Sequence, residues 1–349
     1  MIQLRFGIGN NKLTRIFKAA VLLKTNQPLQ IFELIAPPLN PGQVLVRNLY
    51  SGVCRSQLME INGHRGADKW LPHLLGHEAV GVVEEISETV SKIKVGDKVV
   101  LSWITGLGQR VRNPSFKDTG GRVINSGAVT TFSEYTITSE CFVTLAPEGF
   151  DNTVLPLFGC AFLTGAGMAI RSIKSDHKKV AIIGFGGVGS AAAIASSIIS
   201  KAELLIIEQS PSRRALAKKM GFENVTDDFG ANEYIGTMDL CIESGGTVSS
   251  IELGFKLLTK SGELVFASHP PDGQGIVLNP HELLSGKKIR GSWGGGGVLD
   301  VEVDLVAKIL LRKTQNLDVL AGKIFGLDEI NVAVSYLQSS LPGRSLIQL

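Results

Sequence analysis

The sequence has little cysteine, few aromatic residues and little net charge. Its four cysteines are scattered over 349 residues, which excludes a disulfide framework and favours a reduced, cytoplasmic setting. The net charge of +3 arises from acids and bases mixed along the chain, so it does not support binding to nucleic acid or to a membrane surface. The N-terminal segment has no apolar core followed by a small-residue cleavage site. We therefore interpret it as a short extension rather than a secretory leader.

Long apolar runs are also scarce. The uncharged stretch over residues 180–199 is long enough to suggest a membrane span, but glycines crowd its middle. A buried strand, a glycine turn and an Ala-rich helix explain the same residues better. The sequence thus predicts no membrane partner.

The glycine turn itself is the clearest motif. Gly184 permits a tight turn, Gly186 permits backbone to approach a pyrophosphate, and Gly189 lets the helix pack on the strand. The next apolar run ends in Glu208, at the ~20-residue spacing of a carboxylate that binds a ribose. Strand, turn, helix, strand and acid together predict a dinucleotide site, with phosphates at the helix N-terminus.

Hydrophobic periodicity divides the chain into two domains. Residues 18–150 are short apolar runs between turn clusters, which predicts a β-rich domain, and residues 102–131 predict a loop excursion. Residues 162–298 alternate strands and helices, which predicts a parallel sheet covered on both faces. Two helices and a terminal strand over 345–349 follow, and we expect that strand to pair with the first domain. The predicted α/β organisation is a β-rich domain over 1–161 and 299–349 and a doubly wound domain over 162–298.

Three polar side chains in the first half are potential soft-metal ligands, namely Cys54, His77 and Cys160. Two thiolates and one imidazole suit a tetrahedral Zn²⁺ whose fourth position stays open. Their wide separation argues against a zinc finger and fits a site that the fold assembles. As an alternative, both cysteines are ordinary buried thiols.

These motifs resemble those of zinc-dependent alcohol dehydrogenases of the medium-chain dehydrogenase/reductase superfamily. The resemblance extends from Lys18 to Leu349 and implies a GroES-like catalytic domain followed by a Rossmann domain. The matching segments are Cys54-Arg55-Ser56, Leu75-Gly76-His77-Glu78, Gly159-Cys160 to Gly165, Gly184 to Gly189, Pro270-Pro271, Leu283-Leu284-Ser285-Gly286 and Gly343-Arg344.

The resemblance implies a role for each matching residue. One catalytic zinc would be bound by Cys54, His77 and Cys160, with Glu78 close behind it. Ser56 would hydrogen-bond the substrate oxygen and relay its proton. The residues expected to bind the cofactor are Gly184, Gly186, Gly187, Val188, Gly189, Glu208, Arg213, Arg55 and Arg344.

The same reasoning bears on the choice of cofactor. A carboxylate at the end of the strand favours NAD, because it accepts from the ribose hydroxyls and repels a 2′-phosphate. Arg213 and Arg214 follow closely, and arginines near this turn can accommodate NADP. We expect NAD to be preferred.

The chain departs from the family pattern at several positions. Residues 84–140 contain no cysteine, although many members bind a second, structural zinc there, so one zinc per chain is expected. Gln57 stands where an acid often orients the histidine, and Met59 stands where some members have a relay histidine. Proton exit would then use water or His64. His269 stands near the nicotinamide in place of a small or apolar residue.

The glycine run over 294–297 has two interpretations. It favours a flexible crossing between domains over a second phosphate cradle, and backbone contact with the cofactor stays open.

The expected activity is hydride transfer between an alcohol, or its aldehyde or ketone, and NAD(H), with zinc activating the substrate oxygen. One alternative is a reductase of a sugar or other polar carbonyl in a biosynthetic pathway. Another is a dinucleotide-binding protein without turnover. The expected partners are a small-molecule substrate and further copies of the chain, in a homodimer or homotetramer.

Overall fold

The chain forms two compact units. A computed structural model describes residues 15–312, 317–339 and 341–349. The N-terminal extension noted above, residues 1–14, lies outside the described residues. Of the described residues, the first unit comprises 15–159, 323–338 and 345–349, and the second comprises 160–312, 317–322, 339 and 341–344. Among the described residues, no helix is long and apolar enough to cross a bilayer.

The first unit is mainly antiparallel β-structure with one short helix, α1 (Arg55–Ile61). Its first ten strands are β1 (Ile16–Leu22), β2 (Gln30–Ile35), β3 (Gln43–Gly52), β4 (His73–Leu74), β5 (Glu78–Ile86), β6 (Lys98–Ser102), β7 (Ser115–Asp118), β8 (Val123–Asn125), β9 (Tyr135–Ser139) and β10 (Val143–Leu145). The order β1-β2-β7-β8-β4 closes a barrel, and β10-β6-β5-β3 forms a second sheet in which β9 also pairs with β3. The predicted β-rich domain is therefore confirmed.

The loop excursion predicted over residues 102–131 is wrong in part. Strands β7 and β8 lie within it and complete the barrel, with Phe116 and Ile124 buried in its core. These strands are only 4 and 3 residues long, and each buries a single apolar side chain, Phe116 in β7 and Ile124 in β8. Asp118 ends β7 and accepts from the N–H groups of Gly120 and Arg122, which turns the chain into β8. Such short runs carry too little periodicity to be recognised in the sequence.

The second unit is a parallel sheet with helices between its strands. Its strands are β11 (Lys179–Ile183), β12 (Glu203–Ile207), β13 (Val225–Thr226), β14 (Met238–Glu243), β15 (Leu258–Phe266) and β16 (Lys288–Gly291). Its helices are α2 (Ala161–Ser172), α3 (Gly187–Ile199), α4 (Pro211–Lys219), α5 (Val248–Leu257), α6 (Pro280–Leu284) and α7 (Leu299–Leu310). The strands lie in the order β13-β12-β11-β14-β15-β16, and every neighbouring pair is parallel. Successive strands are added on one side of β11 as far as β13 and on its other side from β14 onwards. This is the doubly wound arrangement that the sequence predicts.

The terminal strand returns to the first unit. The chain ends with β17 (Ala321–Gly326), α8 (Ile330–Gln338) and β18 (Arg344–Gln348). Strand β18 pairs antiparallel with β3, with Leu346 opposite Gly52. The structure thus shows the pairing expected for the last strand.

Helix α7 belongs to the second unit, whereas the sequence had placed residues 299–322 in the first domain. Glu302 on α7 is only 4% exposed and forms an ion pair with Arg171 on α2. The buried side chains of Leu299 and Val303 cover the same face of the helix. These contacts tie α7 to α2, so the boundary moves from residue 299 to about 322.

The glycine run over 294–297 is closely packed rather than a flexible crossing. Gly294 and Gly295 are buried in a short 3₁₀ turn. Gly295 has φ of +81°, and a Cβ there would lie 2.2 Å from the carbonyl oxygen of Leu163 on α2. Only glycine fits this backbone conformation in this space.

The packing predicts a large cost for Gly295→Ala. Alanine there occupies the left-handed region, which costs about 1–2 kcal/mol, and overpacking adds about 1–3 kcal/mol. Gly273→Ala is the matched control, because Gly273 has φ of +80° in the same unit with nothing within 4 Å of an added Cβ. Urea unfolding of both variants measures the difference in free energy of unfolding, and equal losses would mean that the run is not packed.

Candidate functional site

Three side chains meet in a cluster of potential metal ligands. Cys54, His77 and Cys160 each contribute one potential ligand atom, and these three atoms all lie within 4.8 Å of one another. Cys54 precedes α1 at its N-cap, and His77 immediately precedes β5. Cys160 precedes α2 and is the first residue past the boundary of the first unit. The structure therefore brings together all three ligands that the sequence predicts.

Close packing of Gly159 fixes the backbone beside Cys160. A Cβ on Gly159 would lie 2.4 Å from the carbonyl oxygen of Leu101 and 2.9 Å from Cα of Glu78. The hydroxyl of Ser102 donates to the Gly159 carbonyl at 2.6 Å. Cys160 is thus tied to strands β5 and β6, and β5 begins next to His77.

The electrostatics of the cluster favour a cation. Burial alone would lower the pKa of His77, but the neighbouring Cys54 thiol and the charges of Glu78 and Glu60 raise it above its ordinary value. Negative potential at the imidazole accounts for this direction, and the same potential attracts a metal ion. Two sulfur donors and one imidazole nitrogen are a donor set that suits Zn²⁺.

Two buried polar atoms of this cluster lack a protein partner. Within the described ranges, the Ser56 hydroxyl and Nε2 of His77 have no hydrogen-bond partner. Such orphaned groups are costly unless a ligand, ion or water satisfies them. A metal at Nε2 and a substrate oxygen at Ser56 would do so, and these residues therefore fit the predicted zinc.

Gln57 contacts the cluster from behind. Its Oε1 accepts from the Cys54 N–H at 3.0 Å, and its Nε2 contacts Nδ1 of His77. Gln57 stands at the position where the family pattern often has an acid. In this chain the side chain that contacts Nδ1 of the histidine is therefore an amide.

Trp103 also belongs to the surroundings of the cluster, and sequence reasoning missed it. Its ring lies edge-on to that of His77, with the ring centroids 6.3 Å apart. It directly follows β6, in the segment that the sequence described as a loop. Of the two residues discussed for proton exit, Met59 is buried and His64 is exposed.

The glycine turn has the geometry that the dinucleotide motif predicts. Gly184 follows β11 with φ of +87°, and a Cβ on Gly189 would lie 1.8 Å from the Gly184 carbonyl oxygen. The peptide groups of Gly187 and Val188 form the first turn of α3, whose N–H groups can bind phosphate.

Two arginines lie beside this turn. A guanidinium nitrogen of buried Arg344 lies 3.1 Å from the point that a Cβ on Gly187 would occupy. A guanidinium nitrogen of Arg213 lies 4.0 Å from the corresponding point at Gly186. Both therefore reach the predicted phosphate site, whereas Arg55 is exposed at the start of α1 in the first unit. Arg214 instead donates to the backbone carbonyls of Glu208 and Gln209.

Glu208 is buried at the end of β12 and fixes the turn. One carboxylate oxygen accepts from the Phe185 N–H at 2.7 Å, and the other accepts from the Ser210 N–H at 2.8 Å. Each oxygen has a second lone pair, so the carboxylate can still accept from a ribose hydroxyl.

A second buried acid, Glu243, occupies the equivalent position at the end of β14 and was missed. Its Oε1 accepts from the N–H groups of Gly245 and Gly246 and from the Ser250 hydroxyl. Burial raises the pKa of Glu243, although these hydrogen bonds and one from Ser268 oppose the shift. The signal was present in the sequence, since the strand ends in an acid followed by Ser-Gly-Gly, as β12 ends in Glu208.

His269 and Trp293 form an aromatic pair at the carboxyl edge of the sheet. They follow β15 and β16, both are exposed, and their ring centroids lie 5.7 Å apart. The sequence had singled out only His269. The pair lies on the β14–β16 half of the sheet, away from Glu208.

Comparison with known proteins agrees with this architecture. Residues 40–148 match the alcohol dehydrogenase GroES-like domain. Alcohol dehydrogenase 6 of Rattus norvegicus is 26% identical over 377 residues, which covers 95% of this chain and 97% of the relative. A Burkholderia ambifaria structure described as an alcohol dehydrogenase zinc-binding domain protein has a TM-score of 0.86 at 24% identity, covering 96% of this chain and 99% of that one. Benzyl alcohol dehydrogenase from Acinetobacter calcoaceticus has a TM-score of 0.84 at 23% identity, with the same coverage.

These likenesses extend over nearly the whole length of the chain. The solved structures share its fold, and the domain match falls on the unit that carries Cys54 and His77. The glycine turn and the doubly wound sheet supply the other half of the same architecture. Residues 40–148 therefore form an alcohol dehydrogenase GroES-like domain, and over nearly its whole length the chain is similar to alcohol dehydrogenases.

Proposed function

We propose that this oxidoreductase is zinc-dependent and transfers hydride between an alcohol, or its aldehyde or ketone, and NAD(H). The observation that carries the proposal is the cluster formed by Cys54, His77 and Cys160. Two positions after Cys54 in the sequence lies Ser56, whose buried hydroxyl has no hydrogen-bond partner within the described residues. The rat and Acinetobacter relatives are described as alcohol dehydrogenases, which supports an alcohol–carbonyl couple as the substrate.

The cluster would hold one zinc ion per chain. Three protein ligands are typical of catalytic zinc, which keeps its fourth position for solvent or substrate. When bound, zinc supplies Lewis acidity, which lowers the pKa of a hydroxyl and polarises a carbonyl. Glu78 adds negative charge directly behind His77 and raises the local attraction for a dication.

Ser56 would carry the proton. In alcohol oxidation its Oγ would accept the hydroxyl proton of the substrate and pass its own proton towards solvent. The bound nicotinamide would supply the acceptor for the hydride that the substrate carbon loses. In reduction the proton moves back along the same route as the carbonyl carbon receives hydride. The hydroxyl is available for this role because it has no hydrogen-bond partner within the described residues.

The second unit would bind the dinucleotide. The N–H groups of Gly187 and Val188 and the guanidinium groups of Arg344 and Arg213 supply positive charge for the pyrophosphate. Arg55 would add to it from α1. Glu208 would accept from the adenosine ribose, and its charge opposes a 2′-phosphate, so NAD is the proposed cofactor.

A non-catalytic dinucleotide-binding protein is the functional alternative. A panel of alcohols, aldehydes and polar carbonyls with NAD(H) separates the two, since a binding protein would retain NADH without turning over any of them. The same panel distinguishes alcohol oxidation from reduction of a sugar.

None of the four cysteines, all of which the structure describes, forms a disulfide. This supports a cytoplasmic location.

Removal of one ligand tests the metal. Cys160→Ala should abolish turnover and lower zinc content below one per chain, because two remaining ligands hold zinc poorly. NADH binding should persist, since the nucleotide turn does not involve this side chain. Cys141→Ala is the matched control, because Cys141 is a buried thiol outside the cluster. Elemental analysis and NADH fluorescence give the readouts, and full activity in metal-free protein would end the zinc proposal.

Removal of the hydroxyl tests the proton relay. Ser56→Ala should retain zinc but slow turnover about 10²–10⁴-fold, the usual worth of positioned acid–base help. Ser56→Thr keeps the hydroxyl and should recover most of the rate. Stopped-flow measurement of NADH formation reports the step directly. An alanine variant as fast as the native enzyme would remove Ser56 from the mechanism.

Neutralisation of Glu208 tests the cofactor. Glu208→Gln should lower the ratio of kcat/KM with NAD to that with NADP about tenfold, because the charge that repels the 2′-phosphate is lost. Glu203→Gln, at the opposite end of β12, should leave the ratio unchanged. A native preference for NADP would contradict the assignment.

A further inference from the structure

Gln57 joins the two segments that carry Cys54 and His77. It is the third residue of α1 and only 2% exposed. One end of its amide accepts from the Cys54 N–H at 3.0 Å, and the other end contacts Nδ1 of His77. A single buried side chain therefore contacts both Cys54 and His77, the second of which lies 20 positions after Gln57 in the sequence.

The polarity of this contact specifies where His77 carries its proton. An amide nitrogen donates and cannot accept, so Nδ1 of His77 must accept. A neutral imidazole that accepts at Nδ1 carries its hydrogen on Nε2. That nitrogen is buried and has no hydrogen-bond partner in the described part of the chain. It is the ring atom left for a metal, yet it cannot ligate while protonated.

Binding a metal at Nε2 therefore requires the hydrogen to move to Nδ1, which then needs an acceptor. The only oxygen of Gln57 is already directed at the Cys54 N–H. If the amide rotates, His77 gains its acceptor, but the Cys54 N–H then faces the amide NH₂ group. In either orientation the single amide oxygen faces only one of these two donors, whereas a carboxylate has an oxygen at each end and can accept from both.

We propose that Gln57 is a positioning residue that holds His77 in the tautomer unable to bind metal, so that the site binds zinc more weakly than a carboxylate at this position would allow. Metal entry is coupled to rotation of the Gln57 amide. The proposal rests on the zinc-dependent function proposed above and specifies how tightly this chain retains its metal.

The decisive variant is Gln57→Glu. Its carboxylate accepts from Cys54 and His77 together, so zinc should bind about 10–100-fold more tightly than to the native protein, the range over which partners of ligating histidines act. Asn62→Asp is the matched control, since it makes the same chemical change at the C-terminal end of α1, outside the contact with His77. It should alter zinc affinity far less. Chelator competition measures all three, and a glutamate variant that binds zinc no more tightly than the native protein overturns the proposal.

The tautomer itself gives a second readout that does not depend on activity. In metal-free native protein with ¹⁵N-labelled histidine, at a pH where the ring is neutral, the His77 hydrogen should lie on Nε2. In Gln57→Glu, or in the native protein after zinc is added, it should lie on Nδ1. A hydrogen on Nδ1 in the metal-free native protein would overturn the proposal even if the glutamate variant failed to fold. A native protein that binds no zinc would instead refute the proposed function, and the metal-free tautomer would still decide the role of Gln57.

Discussion

The close approach of Gly159 to strands β5 and β6 is the constraint on which the cluster of potential metal ligands depends. The backbone passes near enough to Leu101 and Glu78 that no side chain fits at this position. Cys160 is covalently next to it, and His77 is next to Glu78. The distance between these ligands is therefore set by a backbone contact inside the sheet. This kind of support is stiffer than a set of side-chain contacts, because protein interiors are packed nearly as densely as organic crystals.

In the second unit, buried carboxylates hold the turns that follow the strands of the sheet. Glu208 and Glu243 lie at the ends of β12 and β14, the two strands on either side of β11, and each accepts from N–H groups of the turn that follows its strand. Glu208 also accepts from Phe185 in the glycine turn. Buried polar groups are costly to leave without hydrogen-bond partners, so these bonds fix the shapes of the turns that the two acids contact.

Much of this organisation could be predicted from sequence because the relevant signals are local. The strand–glycine–helix–acid pattern identified β11, α3 and Glu208, and the three ligands could be selected by residue type and neighbouring glycines. Signals that depend on tertiary packing could not be identified in this way. Strands β7 and β8 are too short to show periodicity, and α7 joins the second unit through an Arg171–Glu302 pair that spans 131 positions. The edge contact of Trp103 with His77 has no local signature at all.

The bonds of Glu208 have a consequence for how such a protein can evolve. The carboxylate proposed to bind the ribose also holds Phe185 and Ser210 in place, so in the proposed function one side chain serves both cofactor recognition and backbone geometry. A lineage that changed cofactor by replacing this residue would lose two buried hydrogen bonds in the same step. A change of cofactor at this position is therefore coupled to a change in the shape of the turn.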